Sequence, residues 1–207
     1  MRKKASSRRW LDEHHSDHYV KMARTAGYRS RAVFKLEEID AKDHLLRPGM
    51  LVVDLGAAPG GWSQFVVKRL KDKGQVVALD ILPIEPMAGV AVIEGDFREP
   101  EPLQELADLL GNERVDLVLS DMAPNMTGVA PADQAASMYL AELALEFAKD
   151  HLTPKGAFLV KVFQGEGFDG YLKEMRASFK TVSTRKPQAS RGRSKELYLL
   201  AQGLRLV

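Results

Sequence analysis

The sequence predicts an α/β protein in which a mostly parallel sheet carries helices on both faces. Short apolar runs rich in Val, Ile and Leu recur along the 207 residues, and helical patterns separate them. Apolar runs without strict alternation are typical of strands that are buried on both faces. A repeated order of strand, helix and strand indicates right-handed crossovers, and therefore parallel strands.

The elements are predicted in a regular order. A first helix is expected from about Ser30, which can serve as its N-cap, because apolar residues follow it at helical spacing. Apolar runs predict strands at 50–55, 75–81, 90–96, 115–121 and 157–163. Helical patterns lie between them at 61–73, 101–111 and 132–152. Two further strands, at 179–187 and 194–207, can pair as an antiparallel hairpin at the sheet edge.

The composition is that of an ordinary globular protein, with 45% hydrophobic and 28% charged residues. No apolar run reaches the length of about 18 residues that a membrane span needs. The basic N-terminus lacks the apolar stretch of a secretory signal. The absence of cysteine excludes disulfides and thiolate chemistry and fits the reducing cytoplasm, where we expect the protein to act. The five His residues form no spaced ligand set, so no metal site is predicted.

The net charge of +2 conceals two basic ends. Residues 1–35 contain ten Lys or Arg against three acids, and residues 180–195 contain six Lys or Arg and no acid. Such ends favour a polyanionic partner, although two solvated tails would show the same composition. We expect residues 1–17 to be a flexible basic segment and residues 18–207 to form a single domain.

Four predicted strands end in an aspartate: Asp54, Asp80, Asp96 and Asp121. In a parallel sheet, ligands bind beyond the carboxyl ends of the strands, near the point where strand order reverses. One such aspartate is often a helix cap or a turn residue. Four of them beside a glycine-rich loop indicate a binding site.

The stretch DLGAAPGG, which begins at Asp54, follows the first strand and opens a helix. Gly56, Gly60 and Gly61 allow a tight turn and a close approach of a ligand to the backbone. The dinucleotide fingerprint is absent because Ala58 stands at its second glycine, and an acid at the loop would repel a phosphate. A cationic ligand with an amino-acid end fits better, and S-adenosylmethionine has this chemistry.

The other acids have predicted roles in holding the same ligand. Asp80 is placed to accept hydrogen bonds from ribose hydroxyls. Asp96 can accept a hydrogen bond from the adenine amino group, with Phe97 beside the base. Trp62 either forms a wall of the pocket or packs in the core.

Two lysines and a glutamate stand where such residues are unusual. Lys161 interrupts an apolar strand, so it must either reach out to solvent or occupy a polar site. Glu196 lies just inside a strand, where acids are uncommon. Lys35, in the first helix, would by itself be an ordinary surface lysine.

The chain resembles the FtsJ/RrmJ family of ribosomal RNA 2′-O-methyltransferases. The matching stretches run in order from about residue 19 to 201, and they include YRSRAVFKLEEID, VVDLGAAPGGWSQ, DLVLSDMAPNMTG, GAFLVKVFQGEGF and KPQASRGRSKELYLLA. The resemblance implies a Rossmann-like S-adenosylmethionine-dependent methyltransferase fold with a mostly parallel seven-stranded sheet. It also implies that the enzyme is a monomer that methylates a uridine in the A-loop of 23S rRNA, within the assembled large ribosomal subunit.

The resemblance assigns roles to individual residues. It implies a catalytic set at Lys35, Asp121, Lys161 and Glu196. It implies cofactor-binding positions at Gly60, Trp62, Asp80, Asp96 and Asp121, to which the loop itself adds Asp54 and Gly56. Lys161 is the candidate base, or the group that orients the ribose hydroxyl and stabilises the developing alkoxide.

Three other functions are compatible with parts of the pattern. The same core would serve a 2′-O-methyltransferase acting on tRNA or on an mRNA cap. A non-catalytic RNA-binding ribosome assembly factor could keep the fold, but the four catalytic positions are all present. A nicotinamide-dependent oxidoreductase is disfavoured by the missing fingerprint.

Overall fold

The computed structural model describes residues 17–71, 73–190 and 194–205. Its centre is a seven-stranded sheet in the order β3-β2-β1-β4-β5-β7-β6. The strands are β1 Leu51–Leu55, β2 Gln75–Asp80, β3 Val90–Glu94, β4 Val115–Ser120, β5 Leu152–Phe163, β6 Phe179–Arg185 and β7 Glu196–Leu204. The helices of the described residues are α1 His18–Thr25, α2 Val33–Asp43, α3 Gly61–Leu70, α4 Pro100–Leu110, α5 Ala130–His151 and α6 Phe168–Ser178. The prediction of an α/β fold with a mostly parallel sheet is confirmed.

The strand order reverses at β1, which pairs in parallel with β2 on one side and β4 on the other. All five residues of β1 are buried. Helices therefore cover both faces of this central strand, as its continuous apolar run predicts. A crevice for a ligand is expected beyond its carboxyl end.

The two faces of the sheet carry separate cores, and alternate residues of each strand belong to opposite ones. Val53 and Leu55 pack with residues of α4, α5 and α6, whereas Val52 packs with residues of α2 and α3. In β5, Leu159 also lies on the α2 and α3 side. Because side chains two residues apart share a face, Lys161 lies on this side as well.

The predicted antiparallel hairpin is present, but only one of its two strands forms the sheet edge. β6 and β7 pair antiparallel, and β7 also pairs antiparallel with β5. β7 is therefore an internal strand, and β6 forms the edge. This arrangement brings Glu196 opposite Phe163, and Tyr198 opposite Lys161.

Some predicted boundaries were wrong. The helix expected from Ser30 begins at Val33, because the Ser30 hydroxyl accepts a hydrogen bond from the Ala32 N–H at 3.0 Å and forms a turn before it. β5 begins at Leu152, five residues before the predicted start. Helices α1 and α6 were not predicted. The expectation for residues 1–17 lies outside the described residues except at Asp17, whose side chain caps α1.

Candidate active site

The carboxyl ends of β1, β2 and β4 meet along one rim of the sheet. The N–H of Gly56 donates to the Leu79 carbonyl at 2.9 Å, and the N–H of Asp121 donates to the Leu55 carbonyl at 3.0 Å. A cleft of about 430 Å³ opens at this rim. Its lining includes Gly56, Asp80, Asp96, Phe97 and Asp121. The structure thus brings five residues of the predicted ligand site to a single cleft.

Asp80 has both carboxylate oxygens bound to backbone. Oδ2 accepts from the Ala58 N–H at 2.8 Å, and Oδ1 accepts from the Leu82 N–H at 2.9 Å. These bonds join the end of β2 to the glycine-rich loop. A carboxylate offers about four lone-pair sites, so Asp80 keeps acceptor capacity for a ligand.

Asp96 is paired with Arg98, two residues further along the chain. Arg98 Nε lies 2.9 Å from Oδ1, and Nη2 lies 2.5 Å from Oδ2. These hydrogen bonds from Arg98 lower the pKa of Asp96 in spite of partial burial. Phe97 between them is 4% exposed and packs edge-on against Phe147, with ring centroids 5.8 Å apart.

The loop needs glycines because other atoms of the protein lie too close for a side chain. A Cβ on Gly56, whose φ is +77°, would lie 2.8 Å from the backbone of Met122. Gly60 has φ +101°, and a Cβ on Gly61 would lie 3.0 Å from the Cβ of Ser30. From the sequence, these glycines were expected to allow both a tight turn and the close approach of a ligand. In the structure, backbone conformation and packing already account for them.

Asp54 lies behind the cleft and is fully buried. Its Oδ2 accepts a hydrogen bond from the Ser63 hydroxyl at 2.6 Å, and Oδ1 has no hydrogen-bond partner among the described residues. Burial raises the pKa of Asp54 to about 7, against the hydrogen bond from Ser63 and with the charges of Asp121 and Asp80 acting in the same direction as burial. Through Ser63, this buried carboxyl group therefore connects the end of β1 to the first turn of α3.

Trp62 packs in the core, which was one of the two alternatives left open by the sequence. Its side chain is 3% exposed and lies outside the cleft lining. Its Nε1 donates to the Ala32 carbonyl at 2.7 Å, and its ring lies 5.8 Å from that of Tyr198. Gly60 also lies outside the lining, next to Met87 and Arg29.

Lys161 forms a close pair with Asp121. Its Nζ lies 2.6 Å from the Asp121 carbonyl oxygen and 3.0 Å from Oδ1 of the same residue. The lysine side chain is 8% exposed. Of the two alternatives for a lysine within an apolar strand, the structure shows the polar site. Because Asp121 also lines the cleft, this pair borders the predicted cofactor site.

Lys35 and Glu196 form a second pair on the same face of the sheet. The Lys35 Nζ lies 2.7 Å from Glu196 Oε1, and both side chains are 13% exposed. Lys35 comes from α2 and Glu196 from the first residue of β7. The four predicted catalytic residues thus form two ion pairs supplied by distant parts of the chain.

Tyr198 connects the two ion pairs and was not singled out from the sequence. Its hydroxyl donates to Asp121 Oδ1 at 2.8 Å, and Lys35 Nζ lies 5.8 Å from the centre of its ring. A signal was available, because residues two apart in a strand share a face and Tyr198 is two residues after Glu196. The other residues of the run LYLL are apolar, so the run by itself does not single out Tyr198.

The electrostatics of the cluster favour ionised carboxylates and a neutral tyrosine. Burial raises the pKa of Asp121, but the charges of Lys161 and Lys35 outweigh it, and the resulting pKa is lowered. The pKa of Glu196 is likewise lowered, because Lys35 outweighs burial. Burial and the neighbouring carboxylates raise the pKa of Tyr198 well above its usual value.

The basic segment at residues 180–195 is partly neutralised by acidic side chains of α2. Arg185 donates to both carboxylate oxygens of Asp43, at 2.7 and 2.6 Å. Glu38 accepts hydrogen bonds from the N–H groups of Gln188 and Ala189 at 2.6 and 2.9 Å. These contacts hold the segment before β7 against the helix that carries Lys35. Arg191 and Arg193 lie outside the described residues.

The site fits the cofactor that the sequence predicted. The cleft is within the usual size range of small-molecule sites, and three of its lining residues are aspartates. Within the described part of the chain, no group of three or more His, Asp or Glu residues could hold a metal ion. A carboxylate-lined cleft at the strand-order reversal, with a buried lysine beside it, is typical of the Rossmann-like class of S-adenosylmethionine-dependent methyltransferases.

Comparison with known proteins agrees with this class. The model of the FtsJ-like methyltransferase family matches residues 28–204, and the chain belongs to that family. A candidate ribosomal RNA methyltransferase from Plasmodium falciparum is 27% identical, with a TM-score of 0.78 over 86% of this chain and 98% of its own. The expected cofactor, S-adenosylmethionine, is the methyl donor of this class.

Two more distant structures share the fold. Human methyltransferase-like protein 13, solved with S-adenosylhomocysteine, is 19% identical, with a TM-score of 0.56 over 83% of this chain and 77% of its own. A structure of the fibrillarin/Nop5p complex is 19% identical, with a TM-score of 0.57 over 82% of this chain and 80% of the other. In the described residues, no helix is both long enough and apolar enough to cross a membrane.

Proposed function

We propose that this protein transfers a methyl group from S-adenosylmethionine to the ribose 2′-hydroxyl of a uridine in the A-loop of 23S rRNA. The observation that carries the proposal is the position of Asp121, which lines the cofactor cleft and also holds Lys161. One residue therefore joins the place where the methyl donor binds to the group that acts on the hydroxyl.

The cofactor is bound by groups at the carboxyl ends of the strands. S-adenosylmethionine, when bound, supplies an electrophilic methyl group on a sulfonium centre. We propose that Asp80 accepts hydrogen bonds from the ribose hydroxyls. Asp96 accepts a hydrogen bond from the adenine amino group, and Phe97 lies beside the base. Trp62 would act through its backbone N–H in the first turn of α3, because the first N–H groups of a helix have no partner within it and can bind a carboxylate. Gly60, whose own N–H donates to the Ala57 carbonyl at 2.6 Å, would shape the turn that leads into this helix.

Lys161 is the proposed catalytic residue. As an ammonium it has three N–H donors, and two are directed at the carbonyl and carboxylate oxygens of Asp121. The third is then available to the ribose oxygen, where it orients the hydroxyl and stabilises the developing alkoxide. Methyl transfer forms the oxygen–carbon bond, breaks the sulfur–carbon bond, and releases the hydroxyl proton to Lys161 when its amine is neutral, or to solvent.

Three observations support an RNA substrate. The four catalytic positions of the rRNA 2′-O-methyltransferase family are adjacent in the structure as two ion pairs. The Plasmodium falciparum structure, which covers most of this chain, is described as a candidate rRNA methyltransferase. Lys186, in the segment before β7, donates to the Ser194 and Glu196 carbonyls and thus places a positive charge beside the site, where it can attract phosphates with an affinity that falls with salt.

The test combines a genetic and a biochemical measurement. Mass mapping of ribose methylation in rRNA from cells with and without the gene should show the loss of one 2′-O-methyluridine in the A-loop. Purified protein should then restore it on large subunits from the deleted strain, and not on free tRNA or capped mRNA. Methylation of tRNA or of a cap in preference to the subunit would replace the proposed substrate. Absence of methyl transfer, with retained RNA binding, would support an assembly factor.

A further inference from the structure

The first turn of α5 contacts the two loops that follow the catalytic strands. Asp133 in this turn is 6% exposed and binds the loop after β4. Its Oδ1 accepts from the Thr127 N–H and hydroxyl, each at 2.7 Å, and its Oδ2 accepts from the Gly128 N–H at 2.9 Å. The loop that begins with Asp121 is thereby attached to the start of α5.

The next residue, Gln134, binds the loop after β5. Its Nε2 donates to the Phe163 carbonyl at 3.2 Å and to the Glu166 carbonyl at 2.9 Å. Phe163 is the last residue of β5 and lies two residues after Lys161. The side-chain amide of Gln134 therefore holds the end of the strand that carries the proposed catalytic lysine.

The segment held by Gln134 also contacts the strand that carries Glu196. Phe163 pairs with Glu196 in the β5–β7 register, and the Gln164 N–H donates to the Lys195 carbonyl at 3.2 Å. A shift at residues 163–166 would therefore move both Lys161 and Glu196. Each belongs to a different ion pair of the site.

We propose that Gln134 is a positioning residue for methyl transfer, which keeps the end of β5 in the geometry that the Asp121–Lys161 pair requires. This inference rests on the proposed function, because it takes Lys161 as the catalytic residue. Gln134 lies on the first turns of a helix whose buried residues extend to Ala148. Loss of its amide should change the position of the strand end while the packing of α5 is retained.

The first test replaces Gln134 by Met, which keeps the length of the side chain and removes both donors. We expect kcat on large subunits to fall about tenfold, because small displacements of catalytic groups carry large costs in rate. The dissociation constant for S-adenosylmethionine and the KM for subunits should stay within about twofold. Gln104→Met is the matched control, because that amide donates to Asp108 at 2.8 Å on the exposed side of α4.

The second test uses Gly165, which packs against the Gln134 amide. A Cβ there would lie 2.8 Å from Gln134 Cδ, so Gly165→Ala should displace the amide and also lower kcat. In a Gln134→Ala background the space is free, and Gly165→Ala should have little further effect. This non-additivity in kcat is a result that general loss of stability would not produce.

The outcomes separate the two proposals. An inactive wild-type protein overturns the proposed function and this inference with it. An active wild-type protein with an equally active Gln134→Met variant overturns the inference alone. A fall in kcat that is matched by weaker cofactor binding or by a lower melting temperature also overturns it, as do additive effects of the two substitutions.

Discussion

The cofactor side and the catalytic side of the site are built from different kinds of contact. On the cofactor side, Asp80 and Asp96 each have a partner two residues away, and Asp80 also accepts a hydrogen bond from Ala58 in the neighbouring loop. On the catalytic side, Lys35 pairs with Glu196 and Lys161 with Asp121, which are distant in sequence. Local bonds hold a loop in shape, whereas distant pairs depend on the whole sheet.

The difference indicates how each side responds to substitution. A change on the cofactor side should alter binding of S-adenosylmethionine and leave the chemistry intact. A change on the catalytic side should alter kcat and leave cofactor binding intact. Asp121 belongs to both sides, so it is unsuited to separate them.

The largest effect is expected from Lys161→Ala. The substitution removes the only group proposed to contact the ribose oxygen, so kcat should fall by about 10³-fold or more. Binding of S-adenosylmethionine, measured by calorimetry, should persist, because the cleft lining is unchanged. Near-normal turnover in this variant would contradict the catalytic role.

Asp80→Ala tests the cofactor side. It removes the ribose acceptor and two hydrogen bonds that shape the loop, and we expect the dissociation constant for S-adenosylmethionine to rise about 10²-fold. At saturating cofactor, kcat should change much less. An unchanged dissociation constant would reject the proposed ribose contact.

Tyr198→Phe tests the connection between the two ion pairs. The substitution keeps the ring and removes the hydroxyl donor to Asp121, so kcat should fall about tenfold with little change in cofactor affinity. Tyr171→Phe is a suitable control, because that buried hydroxyl donates to the Ala141 carbonyl and neither residue lines the cleft. Equal effects of the two substitutions would assign Tyr198 a role in stability only.

The smallest effect is expected from Asp54→Asn, measured as stability against pH. Because the folded-state pKa of Asp54 is raised to about 7, its ionisation destabilises the folded protein as the pH rises through 7. Between pH 6 and pH 8 the wild-type protein should lose about 1.4 kcal/mol of unfolding free energy that the Asn variant retains. If the unfolding free energies of the two proteins change in parallel between pH 6 and pH 8, Asp54 titrates outside this pH range.

Much of the fold could be predicted from local sequence. The five apolar runs and the two further predicted strands correspond to the seven strands of the sheet, and the apolar pattern is clearest in β1, where all five residues are buried. Boundaries were less predictable where a side chain bonds to nearby backbone, as Ser30 does before α2. α6 was missed because its buried face is small, with only Tyr171 and Met175 buried.

Part of the candidate cleft was predicted from the sequence, whereas Asp54, Gly60 and Trp62 lie outside its lining. The acids that follow strands were found, because parallel strands end at the same rim. The choice between the two alternatives for Trp62, the partner of Asp54 and the contacts of Tyr198 were not predicted, since each depends on which residues from distant segments face one another.

By itself, the sequence determined the order of the strands and of four of the six described helices, the acids at the strand ends and the presence of lysines in unusual places. Only the tertiary structure decided that β7 lies between β5 and β6, and that the four charged residues meet as two pairs joined by a tyrosine. The physical reason is that the hydrophobic pattern of a helix or strand depends on residues that are close together in the sequence. Strand pairing and ion pairing are contacts between residues far apart in the chain, which become specific only when the sheet has formed.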